Sequence, residues 1–175
     1  MTLSPLTEEI VWDSEWFKIV AKSQSKDREP HYVLECKDYV SIVATNREGK
    51  LILVRQFRPA AGRFTLEIPS GHVEEGQTPE EAARVELLEE TGYDAGKLEF
   101  LCDLSPDPGR MGNRMWLFFT SDATPVPTST HHREAGVESL VYGAGVSSLL
   151  LDDDFQNALH HAALLAAITR GKLPL

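Results

Sequence analysis

Residues 71–92 read GHVEEGQTPEEAARVELLEETG, and the fold turns on how this stretch divides. Thr78 offers an N-cap, Pro79 suits the first helical position, and Glu81 can close a capping box. The helix then runs through residues 82–91 and meets Gly92 as its C-cap. At about 100° per residue, Glu86, Glu89 and Glu90 fall within one narrow sector of that helix. Ala83 and Leu87 occupy the adjoining sector and can pack on a sheet, while Arg84 projects roughly opposite Glu86. Like charges at these spacings each oppose a bare helix by a few tenths of a kcal/mol. A solvated acidic face is the plain reading. A divalent-cation site is the sharper one, because a hard cation such as Mg²⁺ turns the repulsion into attraction. Gly71 and Gly76 frame the preceding loop and permit tight turns and close backbone approach. Strand, glycine loop and acidic helix together make a layout for a metal-bound diphosphate.

Working outward, residues 39–45 are rich in β-branched side chains, residues 46–49 form a turn, and residues 51–54 resume the apolar run. This reads as a hairpin. Further strands are expected over residues 64–68, 98–104, 115–120 and 137–142, with N-terminal ones over 12–22 and 32–36. Residues 122–132 are rich in Pro, Ser and Thr and read as a loop. A second helix is expected from about residue 153 to 169, opening on the acidic run 152–154. With no internal repeat, the pattern is one compact mixed α/β domain.

Composition narrows the function. Among 175 residues, 17 Lys and Arg stand against 27 Asp and Glu, a formal charge of −10. Duplex nucleic acid is a poor partner for such a chain. No apolar run approaches the ~18 residues of a membrane span, and the N-terminus lacks the marks of a secretory signal. Cys36 and Cys102 are too few for a zinc site or a disulfide framework and read as reduced thiols. Cytoplasmic location follows as the expectation. The adjacent pairs His131-His132 and His160-His161 point neighbours in different directions and read as solvated or core-edge residues. His72, in the glycine loop, is the exception. Trp12, Trp16 and Trp116 read as core or interface anchors. The Gly-x-Ser-x-Gly elbow is absent.

The stretch resembles the box of the Nudix hydrolases, with Gly71, Glu86, Leu87, Glu89, Glu90, Gly92 and Tyr93 in register. Gln77 replaces the first box Glu, and Val85 replaces the Arg that precedes Glu86. Residues 53–59 and 66–71 resemble the ADP-ribose pyrophosphatase branch, as does Pro108, fifteen residues past Tyr93. The resemblance implies a Nudix-like α/β/α sandwich with a mixed β-sheet. It implies Mg²⁺, with Mn²⁺ as a substitute, held by Glu86, Glu90 and the Ser70 carbonyl, with Glu89 assisting. It also implies a further carboxylate from a later loop, for which Glu134 is the first candidate and Glu138 the second. Residues 1–38 would supply N-terminal strands for a homodimer, and residues 39–175 the hydrolase domain.

Diphosphate hydrolysis needs positioning, charge neutralisation and an activated water. Glu134 or Glu89 could accept the water proton. Arg55, Arg58, Arg110 and Arg114 are the candidate phosphate contacts, and Glu67 a candidate for a sugar or base edge. The expected reaction converts ADP-ribose to AMP and ribose 5-phosphate. The alternatives are a UDP- or GDP-sugar as substrate, or a weakly active nucleotide-sugar sensor.

Overall fold

The computed structural model describes residues 7–25, 27–127 and 134–175. Eleven strands and three helices follow in order: β1 (Thr7–Asp13), β2 (Phe17–Ser23), β3 (His31–Cys36), β4 (Tyr39–Asn46), β5 (Leu51–Arg58), β6 (Arg63–Glu67), β7 (Ser70–His72), α1 (Pro79–Thr91), β8 (Tyr93–Asp94), β9 (Glu99–Leu104), β10 (Met115–Pro125), β11 (Val137–Tyr142), α2 (Val146–Leu150) and α3 (Ala158–Thr169).

The main sheet runs β11-β5-β4-β10-β8, with β6 beside β5, β7 beside β4 and β9 beside β10. Its centre is the parallel pair β4–β10, from Tyr39 opposite Met115 to Ala44 opposite Thr120. The other pairings are antiparallel, so the sheet is mixed. Both faces of β4 are covered, which is why it reads as an almost unbroken apolar run. Val40, Ile42 and Ala44 pack with Ala82, Ala83 and Leu87 of α1. Val43 points the other way, into a cluster with Leu53, Met115, Leu117, Leu164 and Ala167. Burying each large side chain contributes about 1.5–3 kcal/mol. The result is a helix, sheet, helix sandwich, as expected.

α1 begins and ends where its residues dictate. Glu81 N donates to Thr78 Oγ1 (3.3 Å) and Thr78 N donates to Glu81 Oε2 (2.8 Å), closing the capping box. Gly92 ends the helix at φ 75°, its N–H donating to Leu88 O. The 39–54 hairpin also forms, with Gly49 at φ 73° in its turn.

Three elements differ from the sequence reading. α3 starts at Ala158, capped by Asn157, rather than near residue 153. The acidic run folds as a turn instead: Asp154 N donates to Asp152 Oδ1, Asp154 pairs with Arg63, and Phe155 enters the core. Side-chain-to-backbone bonding of this kind competes with helix. β10 continues to Pro125 through the segment read as a loop, because Ala123 is buried and Arg47 Nε holds Asp122 at 2.9 Å. Residues 128–133, including His131 and His132, lie outside the described residues. The short α2 carries no terminal signal strong enough to read. No described helix is long and apolar enough to cross a membrane.

β1, β2 and β3 form a separate antiparallel sheet. It joins the main body where Leu34 N donates to Arg110 O (2.7 Å) and Gly112 N donates to Leu34 O (3.0 Å). Cys36 and Cys102 are unpaired and half-buried.

Candidate functional site

A cavity of about 610 Å³ opens where α1, β7, β5 and β6 meet the start of α3. α1 buries Ala83 and Leu87 against the sheet and thereby turns Glu86, Glu89 and Glu90 into this cavity. Arg84 faces away, bonded to Glu80 (2.9 Å) and to Gly96 O (2.8 Å). Glu90 is nearly fully buried, and its Oε2 accepts from Ser70 N at 2.9 Å. Glu86 lies across Gly71 so closely that a Cβ on that glycine would overlap its carboxyl group. Here glycine is required for close approach, not for an unusual φ.

Glu134 joins the same cavity, its backbone N–H donating to Glu89 O at 3.0 Å. The loop carrying it is thus pinned to the last turn of α1. Glu138 lies elsewhere, facing Arg55 at 3.8 Å.

The electrostatics are lopsided. Six carboxylates line the cavity, from Glu67, Glu74, Glu86, Glu89, Glu90 and Glu134, against the single guanidinium of Arg58. Burial, then the charges of Glu134, Glu89 and Glu74, pushes Glu86 up to about 7. Burial, with Glu86 and Glu134 adding, pushes Glu90 up to about 8, although the Ser70 N–H and Arg58 work against it. Arg58 relieves Glu90 only through its charge, because both of its hydrogen bonds go to Glu67, Nε at 2.8 Å and Nη2 at 2.7 Å. Burial alone would raise the Glu67 carboxyl. The Arg58 bonds and the Thr65 hydroxyl at 2.6 Å override it and hold Glu67 below the usual carboxylate range.

Such a set of oxygen donors, short of positive charge, fits hard divalent cations. Among the described residues no three acidic, His or Cys side chains already converge on one point. Ions would therefore be shared with main-chain carbonyl, water and substrate oxygens, the usual habit of Mg²⁺.

The other residues singled out from the sequence lie outside the cavity lining. Arg55 sits three residues before Arg58 on β5 and so faces the opposite side of the strand, stacked on Phe64 at 4.6 Å. Arg114 pairs with Asp103. Arg110 lines a separate apolar hollow with Ile19, Leu34 and Met111. Pro108 belongs to the turn that ties the segment before β10 to β3, where Asp107 O accepts from the N–H groups of Arg110 and Met111.

The cavity also includes side chains that sequence reasoning did not assign to it: Trp16, Tyr39, Gln56, Asn157 and His160. His72 lines it as well. Trp16 is 70% exposed and reaches the cavity from the turn between β1 and β2. His160 is fully buried, not core-edge or solvated, and burial pulls its pKa down to about 4. Its Nε2 and Ser70 Oγ are hydrogen-bonded at 3.1 Å. Hydroxyl, imidazole and the Glu67 carboxylate are thus aligned, yet they form no relay. His160 Nδ1 stands 4.0 Å from Glu67 Oε2 without a hydrogen-bond partner.

Comparison with known proteins places this geometry in a wider setting. The NUDIX domain family matches residues 37–141. An ADP-ribose pyrophosphatase of Mycobacterium tuberculosis is 31% identical over 144 residues, covering 79% of this chain and 70% of that protein. An ADP-ribose pyrophosphatase of Bacillus subtilis is 46% identical over 70 residues, 40% of this chain and 38% of that one. ADP compounds hydrolase NudE of Escherichia coli is 30% identical over 135 residues, 72% of this chain and 73% of that one. A crystal structure of an ADP compounds hydrolase superposes with a TM-score of 0.78 at 25% identity, covering 99% of this chain and 100% of that one. Several other curated relatives are matched over about half of their length or less, 52% and 38% in two cases.

Proposed function

Because the chain belongs to the NUDIX family, we propose that it hydrolyses the diphosphate bond of nucleoside diphosphate sugars, with ADP-ribose first among them and AMP and ribose 5-phosphate as products. The observation that carries this reading is the cavity with six carboxylates facing one committed guanidinium. A polyanion enters such a site only with cations.

Glu86 and Glu90, with the Ser70 carbonyl and help from Glu89, would hold Mg²⁺ or Mn²⁺. The bound ions supply charge to the diphosphate oxygens and ease deprotonation of the attacking water. Glu134, which lines the cavity on a loop fixed to α1 by the bond to Glu89 O, would serve as the general base. Water attacks one phosphorus, the bridging P–O bond breaks, and Glu134 takes the proton. Trp16 offers an aromatic face to the base, and Gln56 a polar edge to the substrate.

The test is incubation with Mg²⁺ and a panel of ADP-, UDP- and GDP-sugars, followed by chromatography of the products. AMP from ADP-ribose is the expected result. Cleavage of a different panel member would keep the chemistry and change the substrate. Ligand bound but never cleaved would replace the hydrolase with a nucleotide-sugar sensor.

The chain is further proposed to act in the cytoplasm as a homodimer through β1–β3, within residues 1–38. Every residue of β1 is exposed, including Ile10 at 55%, Val11 at 47% and Trp12 at 58%. Three consecutive exposed apolar side chains on an open strand call for a partner surface. Sedimentation is expected to give a dimer for the wild type and a monomer for Trp12→Glu. A monomeric wild type would remove the proposal.

A further inference from the structure

We propose that His160 is a positioning residue for the metal cradle, acting through the Ser70 side chain to keep β7 in register with the Glu90 carboxylate. This rests on the reading of Glu86, Glu90 and Ser70 as the metal-holding set.

β7 has only three residues, Ser70 to His72, and pairs with β4 alone. So short a strand needs side-chain anchors to fix its height above α1. Ser70 supplies them. Its Oγ donates to Ile68 O (2.9 Å), is hydrogen-bonded to Ser41 Oγ (3.0 Å), and is hydrogen-bonded to His160 Nε2 (3.1 Å). The same residue's N–H donates to Glu90 Oε2. The chain of contacts therefore runs from α3, through one imidazole to the Ser70 hydroxyl, and from the Ser70 N–H to the buried Glu90 carboxylate.

Apart from a long 3.4 Å hydrogen bond between its Nε2 and Nδ2 of Asn157, the cap of α3, stability gives His160 little reason to be there. It is 1% exposed in a helix that otherwise buries Ala163, Leu164 and Ala167. Its Nδ1 is buried without a hydrogen bond, which costs the folded state the desolvation of that atom. An apolar residue of similar volume would avoid this cost. What it could not supply is the directed bond from Nε2 to Ser70. Groups that orient a ligand-bearing residue in this manner typically carry tenfold or larger effects on metal affinity.

Mn²⁺ binding, followed by electron paramagnetic resonance, tests the assignment. His160→Leu is expected to weaken Mn²⁺ binding about tenfold and to lower kcat, while KM for the nucleotide sugar holds and the metal-free protein melts no lower than the wild type. His160→Gln, whose amide can meet Ser70 Oγ as donor or acceptor, is expected to restore most of the affinity. In a Ser70→Ala background, His160→Leu should add nothing. Wild-type affinity in His160→Leu, a glutamine variant as weak as the leucine one, or additive losses in the double variant would each overturn the proposal. Should His160→Leu fail to fold, Ser70→Ala alone must show the affinity loss, and its absence overturns the proposal. Glu90→Gln is the control. If the wild type binds Mn²⁺ no better than this variant, the metal-site reading fails and takes the proposal with it. If the wild type binds better but His160→Leu matches it, only the proposal fails.

Discussion

Glu90→Gln is expected to lower hydrolysis roughly a thousandfold, the scale of losing one preorganised electrostatic group, and yet to stabilise the protein stripped of divalent ions. The second effect follows from the sign of the pKa shift. In the folded, metal-free protein Glu90 sits at about 8, against an ordinary value of 4.5. The folded state therefore binds this proton more tightly than the unfolded chain does. Its contribution to stability is complete below about pH 4.5, declines as pH rises, and is gone above about pH 8. Glutamine has no proton to lose and suffers no such decline. Without metal at about pH 8.5, the variant should melt above the wild type by on the order of 5 °C. The difference should vanish near pH 5, where both side chains are neutral. Adding Mg²⁺ reverses the order, because only the wild type gains ligand-linked stability. Calorimetric scans in chelator and in Mg²⁺ across this range check it. A wild-type melting temperature flat from pH 5 to pH 8.5 in chelator would show that Glu90 carries no buried charge penalty.

Gly71→Ala should separate activity from stability in the opposite sense. The added Cβ overlaps the Glu86 carboxyl group, and that group is the far end of a flexible side chain, free to swing away. Gly71 is not among the glycines with positive φ, so alanine fits its backbone. The fold is therefore expected to persist, with melting within a few degrees of the wild type. The carboxylate, however, leaves its place over β7. Misplacing a reacting group by about 1 Å can cost on the order of a hundredfold in rate, and a loss of that size in kcat is expected, with weaker Mg²⁺ dependence. Wild-type turnover in Gly71→Ala would show that the position of Glu86 over the strand is immaterial.

These two substitutions also mark how far the sequence could be read. The α1 segment was legible because its caps, its apolar pair and its three carboxylates all belong to one helix of 13 residues and its two flanking positions. The central strands were legible because β4 is buried on both faces and so carries an apolar run broken only by Ser41 and Thr45. Glu134 was found by resemblance, and nothing local marks it: what places it is a backbone bond to Glu89, 45 positions earlier. His160 was illegible for the same reason, since its partner Ser70 is 90 residues away. Arg55 and Arg58 look equivalent as a pair of basic residues near a bend. Strand alternation sends one to the cavity and the other to Phe64. The acidic run at residues 152–154 was read by charge as a helix start, and a local turn won because Asp152 and Asp154 found closer partners.

The parallel pairing of β4 with β10 has a consequence for biosynthesis. A ribosome makes β4, β5, β6, β7 and α1 well before it reaches Met115. During that interval one edge of β4, with Val40, Ile42 and Val43 along it, has no strand to pair with. An open apolar edge is a template for pairing with another nascent chain. The vulnerable window closes only when β10 emerges and slides in alongside. Translation pauses or truncations that fall between Tyr93 and Met115 should therefore yield aggregates rather than half-folded soluble protein.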